Sequence, residues 1–377
     1  MTFCMQWIPA YRVEFYEGLA SYLAERNIVV KVVHGAPPSS RKQRRDGADL
    51  AWGLFRRNTE IRVRGIEATW QRAWAASRGA DLIVVQQEAA LLFNYVALGQ
   101  RAFGGPKVAM WGHGEFSDHT RQNRTAERLK RLVTPRADWF FAYTERSAEI
   151  ARSFGMTADR ITVVNNSKAP DRPTDGPPSS ELADLVEETR SRGGPVAWMS
   201  SALDDSKRLD VVVEIVDRVR SMIPDFEFFV LGRGALEQDL FTAAESRPWL
   251  HAVGARFGAD KAAIAQLAQI TIHPGLLGLH VIDSFQTRTP IVTQQGPWHS
   301  HEFDYLNEGN AVVLGEEATA AELAEAAVEL LRSPDQLDRL RHGCATSAKR
   351  FSLQSMVENF GRGVLGALDA PRRRTTS

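Results

Sequence analysis

The chain has 377 residues, 44% hydrophobic and 24% charged, with 46 Lys+Arg against 46 Asp+Glu. Residues 1–170 carry 25 Lys+Arg and 16 Asp+Glu and the remainder 21 and 30, so the first part suits an anionic surface or substrate, or the asymmetry is scatter. This composition excludes a disordered chain, no apolar run reaches 18 residues, and Cys4 and Cys344 are too few and too distant for a disulfide framework or a metal motif.

Residues 2–7 read as a short first strand broken at Pro9-Ala10-Tyr11-Arg12. Helical periodicity follows over 13–25, with Phe15, Leu19, Tyr22 and Leu23 on one stripe, and 28–34 is a β-branched strand. Strand, helix and strand in this order make a βαβ unit and predict a parallel sheet. Residues 37–57 are polar and basic, including Arg41-Lys42-Gln43-Arg44-Arg45. They read as a solvated loop, with contact to anionic lipid or acceptor as the alternative. Strand 80–85, helix 86–103 and strand 107–111 come next, the last running into Gly112-His113-Gly114. Helix 119–134 carries Arg121, Arg124, Arg128, Lys130 and Arg131, expected to be a solvated face, with a membrane or anionic acceptor as the second reading. Strand 139–143, helix 145–154 and strand 161–164 complete a doubly wound α/β domain over 1–167.

Residues 168–180 contain four prolines and no large apolar residue, as a linker does. A second alternation covers 181–350: strand 195–199, helix 209–223, strand 226–231 before Gly232-Arg233-Gly234, helix 236–244, strand 249–253 and helix 259–268. Helices 320–332 and 334–345 follow the stretch described next. Residues 351–377 hold a last helix, expected to pack back across the domains, and a basic tail.

The most informative stretch is 271–304. A strand ends in Pro274-Gly275, Gly278 precedes a helix, and a strand over 290–293 runs into His299-Ser300-His301-Glu302. Strand, glycine loop and helix N-terminus present backbone N–H groups and a helix dipole to a phosphate. Asp283, one turn into that helix, is placed for sugar hydroxyls. A nucleotide-sugar donor is the ligand this pattern predicts. His299, His301 and Glu302 could be read as metal ligands, but no distant partner is indicated, and no metal is expected. The fold class is α/β, two Rossmann-like doubly wound domains with a cleft between them, ligands lying at the carboxyl ends of the strands.

Taken as a set, these segments resemble the retaining glycosyltransferases of family 4, which have the GT-B fold. Residues 143–166 resemble the family's interdomain helix and strand, 203–207 its phosphate-binding loop, Val230-Leu231-Gly232-Arg233-Gly234 its glycine turn, and 274–292 its donor signature. Pro9-Ala10-Tyr11-Arg12 and Trp111-Gly112-His113-Gly114 resemble the PxYR and WGHG motifs of a bacterial polysaccharide-synthesis subgroup. Two departures matter. The family's paired glutamates fall on Gly275 and Asp283, and its phosphate-binding arginine falls on Ala202.

The resemblance implies transfer of a hexose, with retention, from a nucleoside diphosphate sugar (UDP- or GDP-sugar foremost) to a glycan, lipid-linked or small-molecule acceptor. No metal or other cofactor and no nucleic acid are implied. It points to His113, Lys207 and Glu302 as catalytic. Donor contacts fall on Ser201, Lys207, Arg208, Gly232, Gly254, Gly275, Leu277, Gly278, Leu279 and Asp283, and acceptor contacts on Tyr11, Arg12 and His113. Each has a plainer alternative. Lys207 could pair with Asp204 or Asp205, His113 could cap a helix, Arg12 could pair with Glu14 or Glu17, and Phe257, beside Gly254, could be core. With no signal sequence in view, a cytoplasmic protein is expected, the basic first domain resting on a membrane as an alternative. A nucleotide-sugar epimerase and a degenerate partner subunit are the rival functions.

Overall fold

The computed structural model of the chain describes residues 1–38, 47–63, 66–114, 124–171 and 178–372. In chain order its elements begin β1 (Thr2–Cys4), α1 (Val13–Ala24), β2 (Lys31–His34), β3 (Leu54–Phe55), β4 (Thr59–Val63), β5 (Ile66–Trp70), α2 (Trp74–Ser77) and β6 (Leu82–Gln86). They continue with α3 (Phe93–Ala102), β7 (Lys107–Gly112), α4 (Arg124–Val133), β8 (Trp139–Ala142), α5 (Glu145–Ser153), β9 (Ile161–Val163) and α6 (Ser180–Arg192). Then come β10 (Val196–Ser200), α7 (Leu209–Met222), β11 (Glu227–Leu231), α8 (Glu237–Glu245), β12 (Leu250–Gly254), α9 (Gly258–Leu267), β13 (Ile270–Ile272) and α10 (His280–Thr287). The last are β14 (Ile291–Gln294), β15 (Ala311–Leu314), α11 (Ala320–Leu331), α12 (Pro334–Arg350) and α13 (Leu353–Asp369).

These elements form two compact units, Met1–Ala169 with Phe351–Ser377, and Pro170–Arg350. In the first, a parallel sheet runs in the order β3-β2-β1-β6-β7-β8-β9. Side chains of period two split its core into two faces. Phe3, Trp111 and Phe141 meet α1 and α13 on one face, while Cys4, Val85, Met110 and Phe140 meet the α3 and α5 side. The last helix is part of this core: Phe360 stacks on Phe141 with centroids 3.9 Å apart and planes 7° off parallel.

The second unit has a parallel sheet in the order β12-β11-β10-β13-β14-β15. Ala197, Met199, Phe228 and Val230 face α7 and α11, and Trp198, Phe229 and Leu231 face α6 and α9. In both units the order reverses beside the first strand, between β1 and β6 and between β10 and β13. A crevice opens at such a reversal, at the carboxyl ends of the strands.

Several elements lie outside the sequence expectation, among them β3, within the segment read as a loop, and α2. β4 and β5 form an antiparallel hairpin from Thr59↔Trp70 to Val63↔Ile66. α6 follows the proline-rich segment, and β15 closes the second sheet. The helix expected from residue 86 begins at Phe93, because 87–92 forms a turn bridged to Thr69: Thr69 N donates to Ala90 O at 2.8 Å, Leu92 N to Thr69 O at 3.0 Å and Leu91 N to Glu88 O at 3.1 Å.

Candidate functional site

The reversal in the second unit brings together the loop after β10 and the loop after β13. Asp204 turns the first by accepting from Ser206 N at 3.2 Å, which starts the 3-10 turn Asp205–Lys207. Arg208 follows in a left-handed conformation, φ 52°, and its guanidinium lies 5.1 Å from the Trp298 ring centroid. The two loops are tied backbone to backbone. Leu276 N donates to Ser206 O at 2.8 Å, and Lys207 Nζ donates to Leu276 O at 2.9 Å. Lys207 is buried, so its charge sits beside the loop and not in open solvent.

Gly275 is where the loops touch. A Cβ there would lie 2.4 Å from the Lys207 carbonyl carbon and oxygen. The side chain missing from the family's first glutamate position is therefore excluded by Lys207 itself. Gly232 has a comparable origin: its Cβ would meet Ser201 O at 1.9 Å. The donor role expected of Gly232 thus has a sufficient packing cause. Gly254, φ 70°, ends β12, and Gly278 has open space around its Cα, Ser300 Oγ being nearest at 3.8 Å.

A third loop, after β14, clamps the second. Leu277 N donates to His299 Nδ1 at 3.2 Å, and His299 Nε2 lies 2.8 Å from Gln294 O. A backbone N–H on one side and a carbonyl on the other fix the tautomer: Nδ1 accepts and Nε2 carries the proton. Burial holds the His299 pKa down at about 4, with Lys207 and Arg208 adding to the effect. Its ring stacks on Phe303 at 4.1 Å. Ser300 N and Oγ both reach Leu277 O, at 3.1 and 2.7 Å, and Ser300 Oγ also meets the buried Glu302 carboxylate.

The Leu277 N–H is occupied by His299, so among the described residues the loop's N–H groups without a protein acceptor include those of Gly275, Gly278 and Leu279. Other polar atoms are buried around it with no hydrogen-bond partner: Ser201 Oγ, Trp298 Nε1 and both ring nitrogens of His273. Orphaned polar groups are rare in folded proteins. Burial, then the nearby His280 and Lys207, pushes the His273 pKa well below the usual histidine range. Sequence reasoning missed His273; its place directly before Pro274 at a strand end was the available signal. Among the described residues no group of three or more His, Cys, Asp and Glu is placed to hold a metal.

Asp283 is 5% exposed and lies 3.1 Å from Lys261 Nζ, so its carboxylate has a protein cation before any sugar. Phe257, weighed as core, is 76% exposed at the head of α9.

The reversal in the first unit holds a cavity of about 480 Å³. Tyr11, Arg12, Trp111, His113 and Tyr143 line one side, the β4–β5 hairpin supplies Glu60, Arg62 and Glu67, and Gln86, Gln87 and Glu88 lie at the end of β6. Tyr11 is 42% exposed. His113 packs on Tyr143 with centroids 4.2 Å apart. Gln87 anchors the WGHG segment, taking Gly114 N at 2.8 Å on Oε1 and giving Nε2 to Thr134 Oγ1 at 2.7 Å.

Arg12 lines this cavity and also has partners inside the unit. Its guanidinium is buried, donates to Ser167 O at 3.0 Å and to Asn166 Oδ1, and lies among the Tyr11, Trp111 and Tyr143 rings. It joins the first strand's loop to the loop after β9, and neither Glu14 nor an acceptor phosphate is needed to account for it. Lys130 is also not on a solvated face: it is 3% exposed and 3.5 Å from Glu88. Arg121 and Arg41-Lys42-Gln43-Arg44-Arg45 lie outside the described residues.

Residues 15–172 match the model of Glycosyltransferase Family 4, and residues 194–333 that of Glycosyl transferases group 1. No curated protein matches the chain by sequence. Among solved structures, Anabaena HepE in complex with UDP is similar at 14% identity, over 97% of this chain and 99% of that one, with a TM-score of 0.69. The pneumococcal O-GlcNAc transferase GtfA, in complex with UDP and GlcNAc, is similar at 10% identity, 98% and 99% coverage and a TM-score of 0.66. A lipopolysaccharide outer core galactosyltransferase, WaaB, is similar at 13% identity, 97% and 98% coverage and 0.63.

Proposed function

We propose that the chain is a GT-B glycosyltransferase, a reading supported by both family models and the similar solved structures, and that it moves a hexose, with retention, from a nucleoside diphosphate sugar to a glycan, lipid-linked or small-molecule acceptor. The donor belongs to the second unit. Lys207 carries this reading: a buried ammonium at the sheet reversal, fixed to Leu276 O and backed by a glycine loop. A positive charge preorganised there stabilises the diphosphate as it departs, when its charge is greatest. Gly278 and Leu279 offer backbone N–H groups, and Glu302, oriented by Ser300, supplies a carboxylate.

Asp283 is assigned to the ribose hydroxyls. With Gly275 barred from carrying a side chain, the donor sugar is met by Glu302 and the loop backbone. UDP in the Anabaena and pneumococcal proteins supports a uridine donor here, with GDP as the alternative. No metal or other cofactor is assigned. The cavity of the first unit takes the acceptor, with Tyr11 and His113 on its wall. Retention rests on the resemblance of residues 203–207 and 274–292 to the retaining family.

A thermal-shift screen against UDP, GDP, ADP, TDP and CMP tests the donor assignment, one nucleotide raising the melting temperature. Lys207→Ala should then lower the transfer rate by about 100-fold or more, the loss typical of removing one transition-state donor. Unchanged transfer in both Lys207→Ala and Asp283→Ala would show the site to be elsewhere. No shift with any nucleotide would point to a non-catalytic partner subunit, the function that Ala202 and Gly275 favour.

A further inference from the structure

Lys261, in the first turn of α9, is 6% exposed and holds two carboxylates. Its Nζ donates to Asp171 Oδ2 at 2.6 Å and lies 3.1 Å from Asp283 Oδ2. The same Asp283 oxygen is 3.5 Å from His280 Nδ1. A buried ammonium persists only when it is paired and hydrogen-bonded, and a carboxylate beside it is held in one orientation.

The neighbouring residue adds a second tie. Asp260 accepts from Ser179 N at 2.8 Å and from Ser179 Oγ at 3.2 Å. Asp171 and Ser179 are thus both fastened to one turn of α9, and that turn is one ion pair away from Asp283.

We propose that Lys261 is a positioning residue that orients Asp283 for the donor and, through Asp171, couples donor binding to the segment that enters the second unit. This rests on the reading that Asp283 meets the donor. Lys261 fixes Oδ2 of Asp283 and thereby the plane in which the carboxylate accepts hydroxyl hydrogens. Because the same ammonium serves Asp171, any change at Asp171 is felt at Asp283. By linkage, donor binding must strengthen the Asp171 contact as much as that contact strengthens donor binding.

The experiment is calorimetric titration of the full chain with UDP and, in parallel, GDP, beside steady-state transfer kinetics. Lys261→Met should weaken nucleotide binding about ten-fold and raise the donor KM with kcat little changed, and Lys261→Arg should recover most of the loss. Asp171→Asn, which touches Asp283 only through Lys261, should weaken binding about three-fold, and its effect should vanish in the Lys261→Met background. Thermal melts identify any variant that fails to fold, in which case Asp171→Asn and Lys261→Arg carry the test. If Asp283→Asn weakens binding while Lys261→Met and Asp171→Asn do not, the positioning role is overturned and the donor reading survives. If Asp283→Asn also has no effect, or neither nucleotide binds the unaltered chain, the donor reading falls and the proposal with it.

Discussion

At Gly275 the loop backbone passes so close to Lys207 that any side chain must displace the residue proposed to hold the donor diphosphate. Gly275→Glu, which restores the family's residue, should therefore not restore its function. Overpacking of this kind costs about 1–3 kcal/mol, to be read as a lower urea midpoint, with nucleotide affinity falling alongside. A variant as stable as the original chain would mean that the loop yields without moving Lys207. Arg12 makes the opposite case, a residue whose sequence context suggests ligand binding and whose surroundings are internal. Arg12→Ala removes the bonds to Ser167 O and Asn166 Oδ1, and should cost about 2 kcal/mol of stability in the first unit. An acceptor KM defect with normal stability would overturn that assignment. The two residues also differ in how readable they were. Lys207 was found from its spacing after a strand, a local property. The partners of Arg12 lie more than 150 residues on, and no local pattern discloses them.

The three strand-end loops of the second unit act together, and their histidines make the assembly sensitive to acid. His299 starts from the ordinary histidine value of 6.5 when unfolded and is held at about 4 when folded, chiefly by burial. Between these values the unfolded chain binds a proton that the folded chain refuses, so stability falls as pH drops from 6.5 toward 4. The full effect is about 3 kcal/mol at the acid end of that window. His273 is shifted in the same direction and adds to it. Urea midpoints measured between pH 7.5 and 5 should decline, and His299→Gln should decline less steeply; equal slopes would show that His299 is protonated in the folded state. At this scale the sequence revealed what is periodic. The β-branched strands and amphipathic helices of both sheets were visible, because burial on sheet faces imposes a pattern. The β4–β5 hairpin was missed although Thr59-Glu60-Ile61-Arg62-Val63 alternates with period two, since a solvent-edge hairpin lacks the apolar run that marks a buried strand. Residues 87–92 were taken for helix because the constraint on them is a bridge to that unseen hairpin.

The whole molecule is discontinuous in sequence: the chain leaves the first unit near Ala169 and returns at Phe351. The proline-rich segment announced the departure, and a last helix packing back from residue 351 on was expected, although α12 and α13 are both amphipathic and separated by little more than Phe351-Ser352. What assigns α13 to the first unit is its apolar face. Met356, Val357, Phe360 and Val364 are buried with Phe3, Phe15, Trp111 and Phe141, and Phe360 has four aromatic neighbours there. Phe360→Ala should accordingly cost about 3–5 kcal/mol, as large aromatic truncations in a closed core do. Ending the chain after Arg350 removes the whole face and leaves those rings against water. The first unit should then lose its cooperative transition and become sensitive to protease. The second unit, whose core residues all lie within Pro170–Arg350, should keep its own transition and its nucleotide-induced shift. Calorimetry of the shortened chain with and without UDP separates the two transitions. If the first unit still melts cooperatively, its core does not depend on α13; if the nucleotide shift disappears while the second transition persists, the donor site needs more than the residues assigned to it.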